Sequence, residues 1–144
     1  MALSANRQVP TYQGGLVLDY IVTNAVTVYQ GGLYDILLSS GHIVVPTSAG
    51  DATEKFAGLA LEKCVGNAVL KCKFLVGGYF WHAIVSGTVA DVGKPVYSAS
   101  NSDDTITLTG TPATTVCVGH TIAYDADKAL FLIAGKLPGT IIDA

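Results

Sequence analysis

At 144 residues the chain has the length of one domain and can bury a sizeable core. Half of its residues are hydrophobic and only 13% are charged, so much apolar surface is left for a partner or for further copies of the chain to cover. A net charge of −3, with eight Lys and Arg spread singly, offers no footprint for a phosphate backbone, and direct nucleic-acid binding is not expected.

Every apolar run is broken well short of the roughly 18 to 20 residues that a membrane span needs, so no membrane partner is expected. The opening MALSANRQVP has neither the charged nor the apolar region of a secretion signal, which points to synthesis in the cytoplasm. Cys64, Cys72 and Cys117 are an odd number without CxxC spacing; they read as small hydrophobes in strands rather than a disulfide framework or a zinc site.

Residues 1–15 are polar, contain Pro10 and Gly14-Gly15, and hold no sustained period, so they read as an extended N-terminal arm. Residues 16–144 read as a single β domain. LVLDYIVT at 16–23 is rich in β-formers, with Leu16, Leu18, Tyr20 and Val22 on one face. Short strands follow at 27–29, 33–38 and 42–45, the first two separated by Gly31-Gly32, and PTSAGDAT at 46–53 is a loop.

The stretch FAGLALEKCVGNAVLKCKFLV at 56–76 predicts a hairpin about Gly66-Asn67, a pair suited to a primed turn. That turn sets Leu61 opposite Cys72 and Leu59 opposite Phe74 on one face, with Glu62 opposite Lys71 and Ala60 opposite Lys73 on the other. Cys64 and Cys72 are not opposite each other in this register. YFWHAIV at 79–85 carries bulk on both faces, which predicts an internal strand or a subunit contact through Tyr79, Phe80 and Trp81. TVADVGK at 88–94 predicts a helical turn before a strand at 95–98. NSDD at 101–104 is a turn, TITLT at 105–109 alternates with Ile106 and Leu108 inward, and a closing hairpin joins 115–124 to 129–134.

The fold class that follows is mainly β, a small barrel or sandwich with strands at short, regular spacing. A faint repeat underlies it. Tyr34 is echoed by Tyr97 and Ile43 by Ile106, each 63 apart (97−34, 106−43), and Gly58 by Gly119, 61 apart (119−58). Two pseudo-repeated strand units, about 27–76 and 90–136, would bury both apolar faces by packing together.

No constellation of catalytic or cofactor-binding residues emerges. His42, His82 and His120 share no ligand spacing, and His120 reads as a hydrogen-bonded structural histidine facing Ile122, Phe131 and Ile133. Four residues separate His82 from Ser86, ~13 Å on a strand rising ~3.3 Å per residue, too far for a nucleophile and its base. The Gly-Gly pairs lack the context of a phosphate loop. Asp103 with Asp104, and Asp125 with Asp127, read as solvated turns rather than a calcium loop.

In order and spacing the chain resembles the capsid cement, or head decoration, proteins of tailed bacteriophages. The matching residues are MALSANR at the start, VTVYQGGLYDI at 26–36, FAGLALE at 56–62, AVLKCKF at 68–74, the strand at 79–85 with SGTVADVGKPVY at 86–97, and the closing pair VCVGHTI and ALFLI. The resemblance implies a non-enzymatic protein on the outer surface of the virion capsid that braces the shell against DNA pressure. By similarity to the lambda head decoration protein, it also implies a homo-oligomer, a trimer by preference, whose arm reaches onto the major capsid protein. The arm candidates are Ala2, Leu3, Asn6, Arg7, Val9 and Tyr12, which suit addition of a strand to an exposed capsid sheet edge. Two other readings remain: a different virion structural component, in the head or tail, and a small ligand-binding or hydrolytic β domain with its site near Trp81 and His82.

Overall fold

A computed structural model describes residues 3–6, 12–99 and 101–136. Its strands are β1 (Tyr12–Gln13), β2 (Leu16–Ile21), β3 (Thr27–Val28), β4 (Leu33–Leu37), β5 (His42–Val44), β6 (Glu54–Ala60), β7 (Cys64–Val65), β8 (Lys71–Val76), β9 (Tyr79–His82), β10 (Pro95–Ser98), β11 (Ile106–Thr107), β12 (Cys117–Asp125) and β13 (Leu130–Gly135). The helical turn expected before β10 is present as a single 3-10 turn, Val89–Asp91.

These strands form a five-stranded sheet in the order β2-β8-β6-β4-β5, a six-stranded sheet in the order β1-β9-β13-β12-β10-β11, and a ribbon of β3 with β7. Every ladder is antiparallel. With β1 set aside, the two larger sheets share one order: third, second, fourth, fifth, first in the chain sequence of their own strands.

Neither sheet closes on itself, which removes the barrel from the expected architectures. The ends approach without completing a ladder. Thr23 N donates to Ile43 O at 3.1 Å beside a lone parallel bridge, and Val85 N donates to Ile106 O at 3.1 Å. The chain turns away directly after each stitch, where Val26 N donates to Thr23 O and Gly87 N to Ile84 O.

Alternation along the strands fixes where the core sits. Leu33, Phe56, Leu59 and Leu75 of the five-stranded sheet join Phe80, Val96, Ile106, Val118, Phe131 and Ile133 of the other sheet in one cluster. Their strand neighbours Tyr34, Ala60 and Phe74 go instead to a second cluster with Val28 of β3 and Cys64 of β7. The five-stranded sheet is therefore buried on both faces, by the six-stranded sheet on one and by the ribbon on the other. Each fully buried large side chain adds roughly 1.5–3 kcal/mol of transfer free energy.

The 56–76 stretch does form a β6–β8 pair, one residue away from the expected register. Leu59 lies opposite Leu75, and Ala60 opposite Phe74. The cause is the connection. Instead of turning at Gly66-Asn67, the chain leaves the sheet so that Cys64–Val65 pairs with Thr27–Val28, and Gly66 N donates to Val26 O at 2.7 Å. Positive φ falls at Ala68, and Asn67 Oδ1 accepts from Val69 N (2.9 Å) and Leu70 N (2.7 Å) to bring the chain back. The slip buries no lysine, because Lys71 and Lys73 are exposed on the face of β8 opposite the buried Cys72 and Phe74. Lys73 pairs with Asp19 across β2 at 3.1 Å, which replaces the expected pairing of Glu62 with Lys71. His120 also departs from expectation. His120 lies opposite Ala134 and Thr121 opposite Ile133, so Thr121 and not His120 shares the face of Ile133, and the buried His120 Nδ1 has no hydrogen-bond partner.

Two glycines mark where strands pass too closely for a side chain. A Cβ on Gly58 would lie 2.3 Å from Leu75 O, and one on Gly119 would lie 2.0 Å from Ala134 O. Gly58→Ala and Gly119→Ala should each lower stability by roughly 2–4 kcal/mol, read as matched downward shifts of the urea midpoint. A loss at one position without the other would contradict equivalent packing at the two crossings.

Candidate functional site

The densest polar arrangement lies where the start of the chain meets both sheets. Tyr34 stands on β4 with its ring in the second core cluster, so its hydroxyl must find a partner under cover. The hydroxyl donates to Asp103 Oδ2 at 2.5 Å and accepts from Tyr29 N at 2.8 Å. Asp103 Oδ1 accepts from Leu3 N at 2.7 Å, and Asp103 O accepts from Leu33 N at 2.7 Å. Nearby, Asn6 Oδ1 accepts from Gln30 N at 3.0 Å. Burial first, and then the Asp103 carboxylate, hold the Tyr34 phenol well above its usual range, so it remains a donor.

Asp103 is thus not the solvated turn residue expected; it is 2% exposed. Ser102 Oγ accepts from Asp104 N and Thr105 N, both at 3.2 Å, and this local turn directs the Asp103 carboxylate inward. Asp125 matches its expected role, with Oδ1 accepting from Asp127 N at 3.0 Å in an exposed turn.

Of the arm candidates, Leu3 and Asn6 are tied to the chain's own body as described. Tyr12 lies in β1, opposite Phe80 on the edge of the six-stranded sheet. Ala2, Arg7 and Val9 lie outside the described residues. Of the aromatic candidates on β9, Phe80 is spent in the core at 2% exposure, Trp81 is half-buried and Tyr79 is exposed. β9 is internal, between β1 and β13. Next to it, β2 forms an outer edge of the five-stranded sheet and leaves Leu16, Val17 and Leu18 exposed. Tyr79 packs at Gly14, just before that edge strand.

Two further groupings were not legible in the sequence. Asp35 and Glu54 are both fully buried near each other on β4 and β6. Glu54 accepts from Thr47 N (3.2 Å) and Thr47 Oγ1 (2.9 Å), whereas neither oxygen of Asp35 has a hydrogen-bond partner. Desolvation, and then the Glu54 charge, raise the Asp35 carboxyl well above its usual range. The second grouping is Glu62, Cys64 and Cys72, whose ligand atoms all lie within 4.8 Å of one another. The departure of β7 from the sheet to pair with β3 brings the two thiols together. Among the described residues, no histidine belongs to a group of three or more close metal-ligating side chains.

Tyr34→Phe leaves Asp103 Oδ2 and Tyr29 N without their shared partner and should cost about 1–3 kcal/mol, measured by denaturant unfolding. Asp35 sets a pH dependence of opposite sense to an ordinary ion-paired carboxylate. Its folded pKa is raised, so the folded state holds the proton more tightly, and stability falls as pH rises from the unfolded value of ~3.9 through the raised folded one. Asp35→Asn should flatten the melting temperature across that range and raise it at neutral pH; an unchanged pH profile would exclude Asp35 as the group responsible.

Comparison with protein families, with curated proteins and with solved structures finds no match for this chain.

Proposed function

We propose that this chain is a capsid decoration, or cement, protein of a tailed bacteriophage, a non-enzymatic homo-oligomer that binds the outer surface of the assembled head through the major capsid protein. The observation that carries this reading is the ordered series of matching segments from MALSANR to ALFLI across nearly the whole chain. The fold supplies physical support. A brace needs a stiff body and adhesive edges, and the five-stranded sheet is packed on both faces while β2 keeps a free edge with Leu16, Val17 and Leu18 exposed. Such an edge can accept or donate a strand. Several copies docking together on adjacent capsid subunits would turn weak contacts into firm attachment.

We also infer that the two larger sheets are copies of one unit. Their shared strand order supports this, and so do matched hydrogen bonds. Gly31 N donates to Ala60 O (2.9 Å) and Ala60 N to Gly32 O (2.9 Å); correspondingly, Gly93 N donates to Thr121 O and Thr121 N to Lys94 O, both at 3.0 Å. The ladders also shift register at matching points, Tyr34/Asp35 and Val96/Tyr97, which sets Tyr34 against Val96, one residue from its expected echo at Tyr97. The crossing glycines Gly58 and Gly119 pair in the same way.

The test is to mix the purified protein with expanded empty heads built from the capsid protein of the same virus and to count bound copies. Copy numbers that match repeated symmetry sites are expected, and binding at a single vertex or none would count against decoration. Deleting residues 2–12 should sharply reduce binding while the body stays folded; undiminished binding would remove the arm from the mechanism.

A further inference from the structure

We propose that Glu62, Cys64 and Cys72 form a binding site for a soft divalent cation of the zinc class, two thiolates and one carboxylate supplying three of its ligands. The inference is independent of the decoration reading.

The three donor atoms lie within 4.8 Å of one another. A tetrahedral site with ~2.3 Å metal–sulfur bonds has edges of roughly 3.8 Å, so small side-chain adjustments would close the triangle on an ion. Both thiols are free, and their present contacts are long. Cys72 Sγ reaches Glu62 O at 3.5 Å, while Cys64 Sγ reaches Glu62 Oε1 at 3.9 Å and Lys71 O at 4.0 Å. Glu62 Oε1 also accepts from Lys73 N at 3.1 Å, a backbone bond that aims the carboxylate in the way supporting hydrogen bonds aim metal ligands. Cys72 is fully covered, but Cys64 is 8% exposed and Glu62 is half-buried, so an ion has a path in.

The placement of Cys64 is the second observation. The connection from β6 to β8 runs through ten residues, 61–70, whereas its counterpart between β12 and β13 takes four, 126–129. Within the longer connection, β7 crosses to pair with β3, and this excursion carries Cys64 to Cys72. The extra length is used at the place where the ligands converge.

Binding involves no change of oxidation state. The cation takes the two sulfur lone pairs and one carboxylate oxygen, two thiol protons leave to solvent, and the fourth position is open to water. Thiolate donors select zinc or cadmium over magnesium or calcium.

Cadmium and zinc added separately to the metal-free full-length protein provide the test. The expected result is one equivalent bound per chain, a cadmium–thiolate charge-transfer band in the ultraviolet, protection of the partly exposed Cys64 thiol by zinc, and a rise in melting temperature that magnesium and calcium do not produce. Cys64→Ser and Cys72→Ser should abolish the band, Cys117→Ser should keep it, and Glu62→Gln should weaken zinc at least tenfold. No cadmium band on the unmodified protein would overturn the proposal, even if a cysteine variant failed to fold. So would a band that survives both Cys64→Ser and Cys72→Ser, or one lost equally with Cys117→Ser. A Cys64–Cys72 disulfide that forms in air in preference to metal uptake would overturn it as well.

Discussion

The hydrogen bond from Tyr34 to Asp103 holds together parts of the chain that nothing local would join. One partner lies on β4, in the second core cluster; the other lies in a loop just before β11, in the other sheet. The same aspartate accepts from the backbone of Leu33 and of Leu3, so a single carboxylate ties a strand, a core tyrosine and the start of the chain into one contact. Its oxygens cost little to bury because each has a donor, and the tyrosine can be buried because its hydroxyl has an acceptor. Asp35 is the contrast, a carboxyl equally covered and left without a donor.

Most strands were readable. Alternation at Leu33–Leu37 and Leu130–Gly135, with glycine pairs and turn residues between runs, placed most strands and the 3-10 turn within a residue or two. But β1 and β7 were not legible as strands, β9 ends three residues before its expected end, and Leu16 and Leu18 are exposed rather than on a buried face. Pattern failed where the decisive partner is remote. Gly66-Asn67 carries every local sign of a tight turn, yet the pairing of Cys64–Val65 with Thr27–Val28 overrides it and slips the β6–β8 ladder by one residue. Lys71 and Lys73 gave no warning, since their face of β8 is open to solvent there while the face of Cys72 is buried. NSDD also looks like solvent-exposed turn chemistry; only the need of a core tyrosine for an acceptor could have pointed to Asp103. The meeting of Glu62, Cys64 and Cys72 had no signal in spacing at all, because β7 makes it by leaving the sheet.

With β1 set aside, the two larger sheets share one strand order and differ most at one connection. Both order their strands alike, both stop at a single stitch between their ends, and both need glycine where β6 and β12 pass beneath a neighbouring carbonyl. That connection, 61–70, adds the ribbon that covers the outer face of the five-stranded sheet. Among the described residues the six-stranded sheet has no such ribbon, and Val89, Val92 and Ile122 are exposed. The outer face of the five-stranded sheet is thus covered, while these apolar residues of the other half stay exposed.

The seat of Leu3 on Asp103 also constrains the order in which the molecule is completed. Leu3 is held by a carboxylate a hundred positions later, so this contact cannot form until the second half of the chain has folded. Contacts of such long separation form late and close large loops. Capture of the leading segment therefore acts as a seal on the finished fold: a molecule whose second half is missing or misfolded leaves its start unclasped.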